Sequence, residues 1–444
     1  MESLKFYVVT DTHYYDPSLG DSGTIYTQYM RREQMCLKEN KSICENTFDA
    51  IIADKDTNIV ILPGDLCKDG DKVSHLGLIE CLKKVKASGK RVLCITAPHD
   101  YNSNPRCYGG EEFRTLEGTE RDELYDMYYE FGFSDALSVH RASMSYTTDL
   151  GENIRLLALN CDGTDGKKKG TYDDDQKIWI DEQLKKAKED GVRLIAMNHY
   201  PFIPPLSIFS LVNDAKMHDW QDNAAYFADN GLHLIFTGHM HIQSVNDFVS
   251  PNGNRLIDVC TSALVGSPGK YRRVEITPDD EIKIETLSVP EFERDRYDIT
   301  TQEYFDNQFR YSLENKISDA LTKGEKLKTL KKIGGKIINS ITIGGLGRLL
   351  FIHVKKPLAK QKLLDFVLDL VIAVFAGDPP YTEDTYEYSI IIKVLDRLKP
   401  VLKIVDNKLG NKLPEGGVRN LVITLINKEC KIPDNDCEFQ IALR

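Results

Sequence analysis

The chain has 444 residues, 41% of them hydrophobic and 28% charged, with a formal net charge of -11. That length exceeds one ordinary domain, and the apolar share is enough for a sizeable core. Residues 301–444 hold 23 Lys and Arg against 18 Asp and Glu, a balance of +5, so the first 300 residues carry −16, which argues against tight nucleic-acid binding by that part. The ten cysteines show no Cys-x-x-Cys spacing, which excludes zinc-ribbon and thioredoxin-like readings and predicts free thiols in a reducing, cytoplasmic setting. No apolar leader follows Met1, and the longest apolar stretch, Leu363 to Ala376, is too short for a membrane span and contains Asp365 and Asp369.

From residue 5 to about 290, short apolar strands alternate with helical stretches. Phe6–Val9 reads as a first strand, followed by a helix from about Gln34 to Ala53. Asn58–Leu62 is a second strand, and a helix around His75–Ala87 precedes a third at Arg91–Thr96. A polar segment, 101–140, leads to a predicted antiparallel pair, Ser143–Thr148 and Ile154–Asn160. Further strands are predicted at Val192–Met197 and Leu232–Phe236, each preceded by a helix, and then four meandering strands between 243 and 290. This pattern fits an α/β, layered α+β fold, a two-sheet β-sandwich flanked by helices. Glu291–Asp298 reads as a charged linker, and residues 302–430 as a smaller C-terminal helical domain with Leu363–Ala376 as its buried helix. The lysine-rich stretch Lys323–Lys336 reads as a solvated helix face.

The strand ends carry the chemistry. The first ends in Asp11-Thr12-His13, where strand alternation would turn a carboxylate and an imidazole the same way. The second ends in Gly64-Asp65, the third in His99-Asp100, the fourth in Asn198-His199 and the fifth in Gly238-His239-Met240-His241. Ligand sites of α/β sheets lie at that carboxyl edge. One such pair arises by chance, but carboxylates and imidazoles at five successive strand ends predict a metal site.

These ordered motifs resemble those of the calcineurin-like metallophosphoesterases. The resemblance covers roughly residues 4–290 and implies a catalytic domain over 1–295, followed by the helical domain over 296–444. It implies two divalent transition-metal ions (Mn, Fe, Zn, Co or Ni). Asp11, His13 and His241 would hold one, His199 and His239 the other, and Asp65 would bridge them. A metal-bridged hydroxide would then cleave a phosphomonoester or phosphodiester. His99 would donate to the leaving group or to a phosphoryl oxygen, oriented by Asp100. A small phosphorylated substrate is expected rather than protein or nucleic acid, with self-association open to the C-terminal helices.

One motif departs from the family. Where Gly-Asn-His is usual, this chain has Ala97-Pro98-His99, so the asparagine ligand of the second ion is missing. Water, substrate, Asn102, Asn104 or Asp162 are the candidates to replace it, and a weaker second site is expected. Lys68 stands where purple acid phosphatases carry tyrosine, and Cys67-Lys68-Asp69-Gly70 lacks the arginine of the protein phosphatases. Arg106 is a candidate phosphate contact, though a plain surface loop is the simpler reading. Pro98 also leaves open a second class of function, a binding scaffold with little or no turnover.

Overall fold

The structure, a computed structural model, describes residues 2–163, 166, 168–322, 340–410, 413, 416–428 and 430–443. The lysine-rich stretch Lys323–Lys336 lies outside the described residues.

The described strands are β1 (Leu4–Val8), β2 (Ile59–Pro63), β3 (Arg91–Ile95), β4 (Arg106–Cys107), β5 (Arg114–Thr115), β6 (Ser138–His140), β7 (Ser145–Gly151), β8 (Ile154–Leu159), β9 (Arg193–Asn198), β10 (Leu234–Thr237), β11 (Ser244–Val249), β12 (Arg255–Cys260), β13 (Lys270–Ile276), β14 (Glu281–Ser288) and β15 (Cys437–Gln440). One sheet has the order β15-β14-β13-β1-β2-β3 and the other β11-β12-β10-β9-β8-β7-β6, with β4 and β5 a separate ribbon. β1, β2 and β3 are parallel, as are β8, β9, β10 and β12. The parallel strands of both sheets end near one edge, and the metal-ligating residue types lie there.

The two sheets pack face to face. Leu156 and Ala158 of β8 join the core between the sheets, with Met197 and Phe236. Leu157 and Leu159 point the other way, into a second core with Trp179 and Phe227 of the covering helices. The period-two alternation thus buries both faces of β8, which is why it reads as a continuous apolar run. Phe6 and Phe236 meet edge to face across the sandwich with ring centroids 5.2 Å apart.

Four expectations change. The helix expected from Gln34 begins at Asn40, because Cys36 N–H donates to Val265 O (2.8 Å) and the Gln34 amide to Ser267 O (2.7 Å), drawing these residues onto the sheet edge. Glu291–Asp298 is no loose linker: Phe292 is buried, Lys38 meets Asp295 at 2.7 Å and Asn46 donates to Glu291 O at 2.7 Å. The helix Leu363–Ala376 is not buried throughout: Phe366, Leu368, Ile372 and Val374 are buried, Val367 is exposed and the remaining residues are half-buried. The meander 243–290 is split, one hairpin in each sheet. Beyond the helices the chain returns: β15 pairs with β14, Phe439 opposite Ile282, so the last strand completes the first sheet. The cysteines among the described residues are free, as the spacing predicts.

Candidate metal centre

The donors are set by backbone that is unusual for their residue types. Asp11 (φ 52°), His13 (φ 36°), Asp65 (φ 48°), His239 (φ 70°) and His241 (φ 56°) all have positive φ. Asp11 and His13 lie beyond β1, so this turn, not strand alternation, gives them a common direction. Such conformations cost about 1 kcal/mol or more each in a non-glycine residue, and their accumulation at one edge marks a functional site. The adjoining glycines have steric reasons. A Cβ on Gly64 (φ 94°) would fall 2.7 Å from Ala97 Cβ and 2.9 Å from His199 Nδ1, and one on Gly238 would collide with Asp11 Oδ2.

Two clusters result: Asp11, His13 and His241, and Asp65, His199 and His239, each with its donor atoms within 4.8 Å of one another. In the first, His13 Nε2 lies 3.1 Å from His241 Nε2, and Asp11 Oδ1 is 3.6 Å and 3.4 Å from those two nitrogens. In the second, Asp65 Oδ2 lies 3.0 Å from His199 Nε2. The same Oδ2 is 3.7 Å from His13 Nε2, so Asp65 stands between the clusters.

Hydrogen bonds define which nitrogens face inward. His199 Nδ1–H donates to Pro63 O (2.9 Å), leaving Nε2 buried and turned to Asp65 Oδ2. His239 Nε2–H donates to Asp214 O (2.6 Å), leaving Nδ1 for the site. Burial pushes His13 and His239 down to about 4, so both are neutral near pH 7. Burial also opposes ionisation of Asp11 and Asp65, yet the surrounding imidazoles hold both carboxyls below their usual range. At His199 burial is outweighed by the Asp65 carboxylate, which raises the pKa to about 10, so that ring gives up a proton to bind a cation. Buried carboxylates and imidazoles together are a donor set that fits divalent transition metals.

His99 adjoins this arrangement, its ring centroid 5.0 Å from that of His13 and its backbone N–H donating to Asp65 Oδ1 (3.1 Å). Its carboxylate partner is not the neighbouring Asp100. Nδ1 faces Lys68 O at 2.9 Å and Asp69 Oδ1 at 3.0 Å, two acceptors that fix a proton there. Asp100 is fully buried and accepts from the N–H groups of Cys67 and Ala97, both at 2.8 Å, because the tight turn at Pro98–Asp100 folds its side chain back on the backbone. The expected His99–Asp100 dyad is therefore corrected to His99–Asp69, with Asp100 a brace of the turn. Sequence reasoning does not single out Asp69. The available signal was its position four residues after Asp65, in the loop that the chain must fold over the metal edge.

Lys68 is buried between Glu33 (3.6 Å) and Asp69 (3.7 Å), so its charge is compensated within the protein. Cys67, His75 and Asp100 form a third grouping of metal-ligating types. There both His75 nitrogens are engaged, by Tyr128 OH (2.8 Å) and Asp100 O (2.7 Å), which reads as a hydrogen-bonded brace.

Of the residues considered for the place of the missing asparagine, Asn102 and Asn104 are exposed, and Asn102 Oδ1 accepts from Asn104 N–H (3.0 Å). Asp162 is buried, and neither carboxylate oxygen has a hydrogen-bond partner among the described residues. Arg106 is exposed and lies over the Phe113 ring, which fits the surface-loop reading. The rim of the site is braced by the C-terminal helices. Ser207 bonds to Thr424 of the helix Gly417–Ile426, and the same rim carries Asp214, whose carbonyl holds His239.

The fold and paired donor clusters form a candidate metal centre at one edge of a two-sheet sandwich, and a family model identifies the class. The chain belongs to the calcineurin-like phosphoesterase family, whose model matches residues 4–243. Similar solved structures include a dimetal phosphatase from Danio rerio, at 12% identity over 66% of this chain and 98% of that one, with a TM-score of 0.49. A purple acid phosphatase from yellow lupin is 15% identical over 66% of this chain and 52% of its own, with a TM-score of 0.40. A 5'-nucleotidase from Staphylococcus aureus, itself described as putative, is 13% identical over 70% and 58%, with a TM-score of 0.40. A search of curated protein sequences gives no match. No helix among the described residues is long and apolar enough to cross a membrane.

Proposed function

We propose that this chain hydrolyses a small phosphate ester, monoester or diester, at a pair of divalent transition-metal ions. The observation that carries the reading is Asp65, whose Oδ2 lies 3.0 Å from His199 Nε2 in one cluster and 3.7 Å from His13 Nε2 in the other. Asp11, His13 and His241 would hold one ion, His199 and His239 the other, and Asp65 both. When bound, the ions supply positive charge for the phosphoryl oxygens and an activated water as nucleophile.

The side chains do the remaining work. Asp65 offsets the mutual repulsion of two dications, and the His99 N–H at 3.1 Å holds its Oδ1 in place. The neutral imidazoles bind without adding negative charge that would repel a phosphate. His99 keeps a proton on Nδ1 towards Asp69, and its half-exposed ring leaves Nε2 for the proton that the leaving oxygen needs. Burial disfavours the charged ring, but Asp65 and Asp69 outweigh it and raise its pKa.

The test is turnover of an aryl phosphate and an aryl phosphodiester with Mn²⁺ added, for the native chain and Asp65→Asn. The reading expects turnover of at least one ester and its loss by a thousandfold or more in the variant. Full activity in Asp65→Asn would refute the bridging role. Pro98 favours a second reading, a binding scaffold in which the site has lost turnover. The full set of buried donors weighs against it, and inactivity on both esters and on a panel of phosphorylated metabolites would favour it.

A further inference from the structure

The residue most at odds with its surroundings is Asp162. It follows β8, which runs parallel to β9 with Leu159 opposite Asn198, so the chain leaves β8 beside His199 at the metal edge. Its backbone is fixed: the N–H donates to Asn160 Oδ1 (3.0 Å), and it bridges to Thr171. The side chain is 1% exposed, and Oδ1 and Oδ2 have no hydrogen-bond partner among the described residues. Buried carboxylates are ordinarily paired, hydrogen-bonded or bound to a metal.

The neighbouring cation does not explain it. The Arg121 guanidinium donates to the carbonyls of Ala142 (2.8 Å), Ser143 (3.1 Å) and Gly163 (3.1 Å). Meanwhile the second cluster lacks a donor, because Pro98 has no side-chain oxygen to offer. Leu159 pairs with Asn198 across β8 and β9, which puts Asn160 level with His199 and Asp162 two residues further along the same edge.

We propose that Asp162 supplies the oxygen ligand of the second ion that Pro98 does not. The inference rests on the two-ion reading above. The Asp162 carboxylate lies outside the 4.8 Å group of Asp65, His199 and His239, and no hydrogen bond among the described residues holds it away from them. An anion in place of a neutral amide also lowers the net charge of the loaded centre by one unit.

The experiment is Mn²⁺ titration of the metal-free full chain, followed by calorimetry and electron paramagnetic resonance, for native protein, Asp162→Ala and Asp162→Asn. Native protein is expected to take up two ions. In Asp162→Ala the second ion should bind at least tenfold more weakly and the first unchanged. Asp162→Asn, which keeps a neutral oxygen, should weaken the second ion threefold or more, and carries the test if the alanine variant does not fold. Metal-free Asp162→Asn should melt at or above the native temperature, since an unpaired buried charge is removed. Second-ion affinity within twofold of native in both variants would overturn the role of Asp162 alone. Fewer than two ions in native protein would overturn the two-ion reading, and this inference with it.

Discussion

His99 Nδ1 lies 3.0 Å from Asp69 Oδ1, while the carboxylate of Asp100, the next residue in the chain, turns into the core to accept two backbone N–H groups. The two aspartates should therefore fail differently. Asp69→Asn should lower kcat about tenfold or more on an ester with a poor leaving group, such as phenyl phosphate, and less on p-nitrophenyl phosphate. Equal losses on both would contradict a role for the pair at the leaving oxygen.

Asp100→Asn turns one backbone N–H towards an amide NH₂ group. It should cost about 1–3 kcal/mol of stability in urea unfolding while the folded fraction keeps most of its turnover. A stable but inactive variant would restore the His99–Asp100 dyad.

Asp258 offers a test away from the metals. It is buried on β12 and accepts from the N–H groups of Phe202 (2.7 Å) and Ile203 (3.0 Å) and from Thr237 OH (2.6 Å). Burial pushes it from 3.8 up to about 6, with these hydrogen bonds acting in the opposite direction. A folded pKa above the unfolded one gives stability that is complete below pH 4 and lost as pH rises through 6. Asp258→Asn keeps the shape and cannot ionise, so it should gain on native protein by up to about 3 kcal/mol between pH 4 and 7. A native-minus-variant difference that stays constant over that range would refute the assignment.

Phe236 joins the two sheets through its edge-to-face contact with Phe6 (5.2 Å) and is fully buried. Phe236→Ala should cost about 3–5 kcal/mol, measured by denaturant unfolding. A loss below about 1 kcal/mol would mean that the sheets repack freely.

The sandwich was legible because its strands are apolar runs with both faces covered, and Leu156 to Leu159 illustrate why. The donors were legible because each follows such a run. What escaped was long-range: β15 is a short half-exposed segment, Cys437–Gln440, whose strand character comes from pairing with β14. Asp69 and Asp100 sit in turns where the backbone, not residue type, decides which carboxylate meets His99. Nor can a sequence show that Asp162 is buried without a partner, since that depends on the crossing of β8 and β9.

The most direct measurement follows ion content and aryl-ester turnover together while a chelator strips the purified protein. Two ions per chain are expected. The second should leave first, since Pro98 stands where its asparagine ligand would be, and turnover should fall with it and return when Mn²⁺ is restored. Two ions that both survive a mild chelator would contradict the weaker second site, and undiminished turnover in protein stripped of both would contradict the account as a whole.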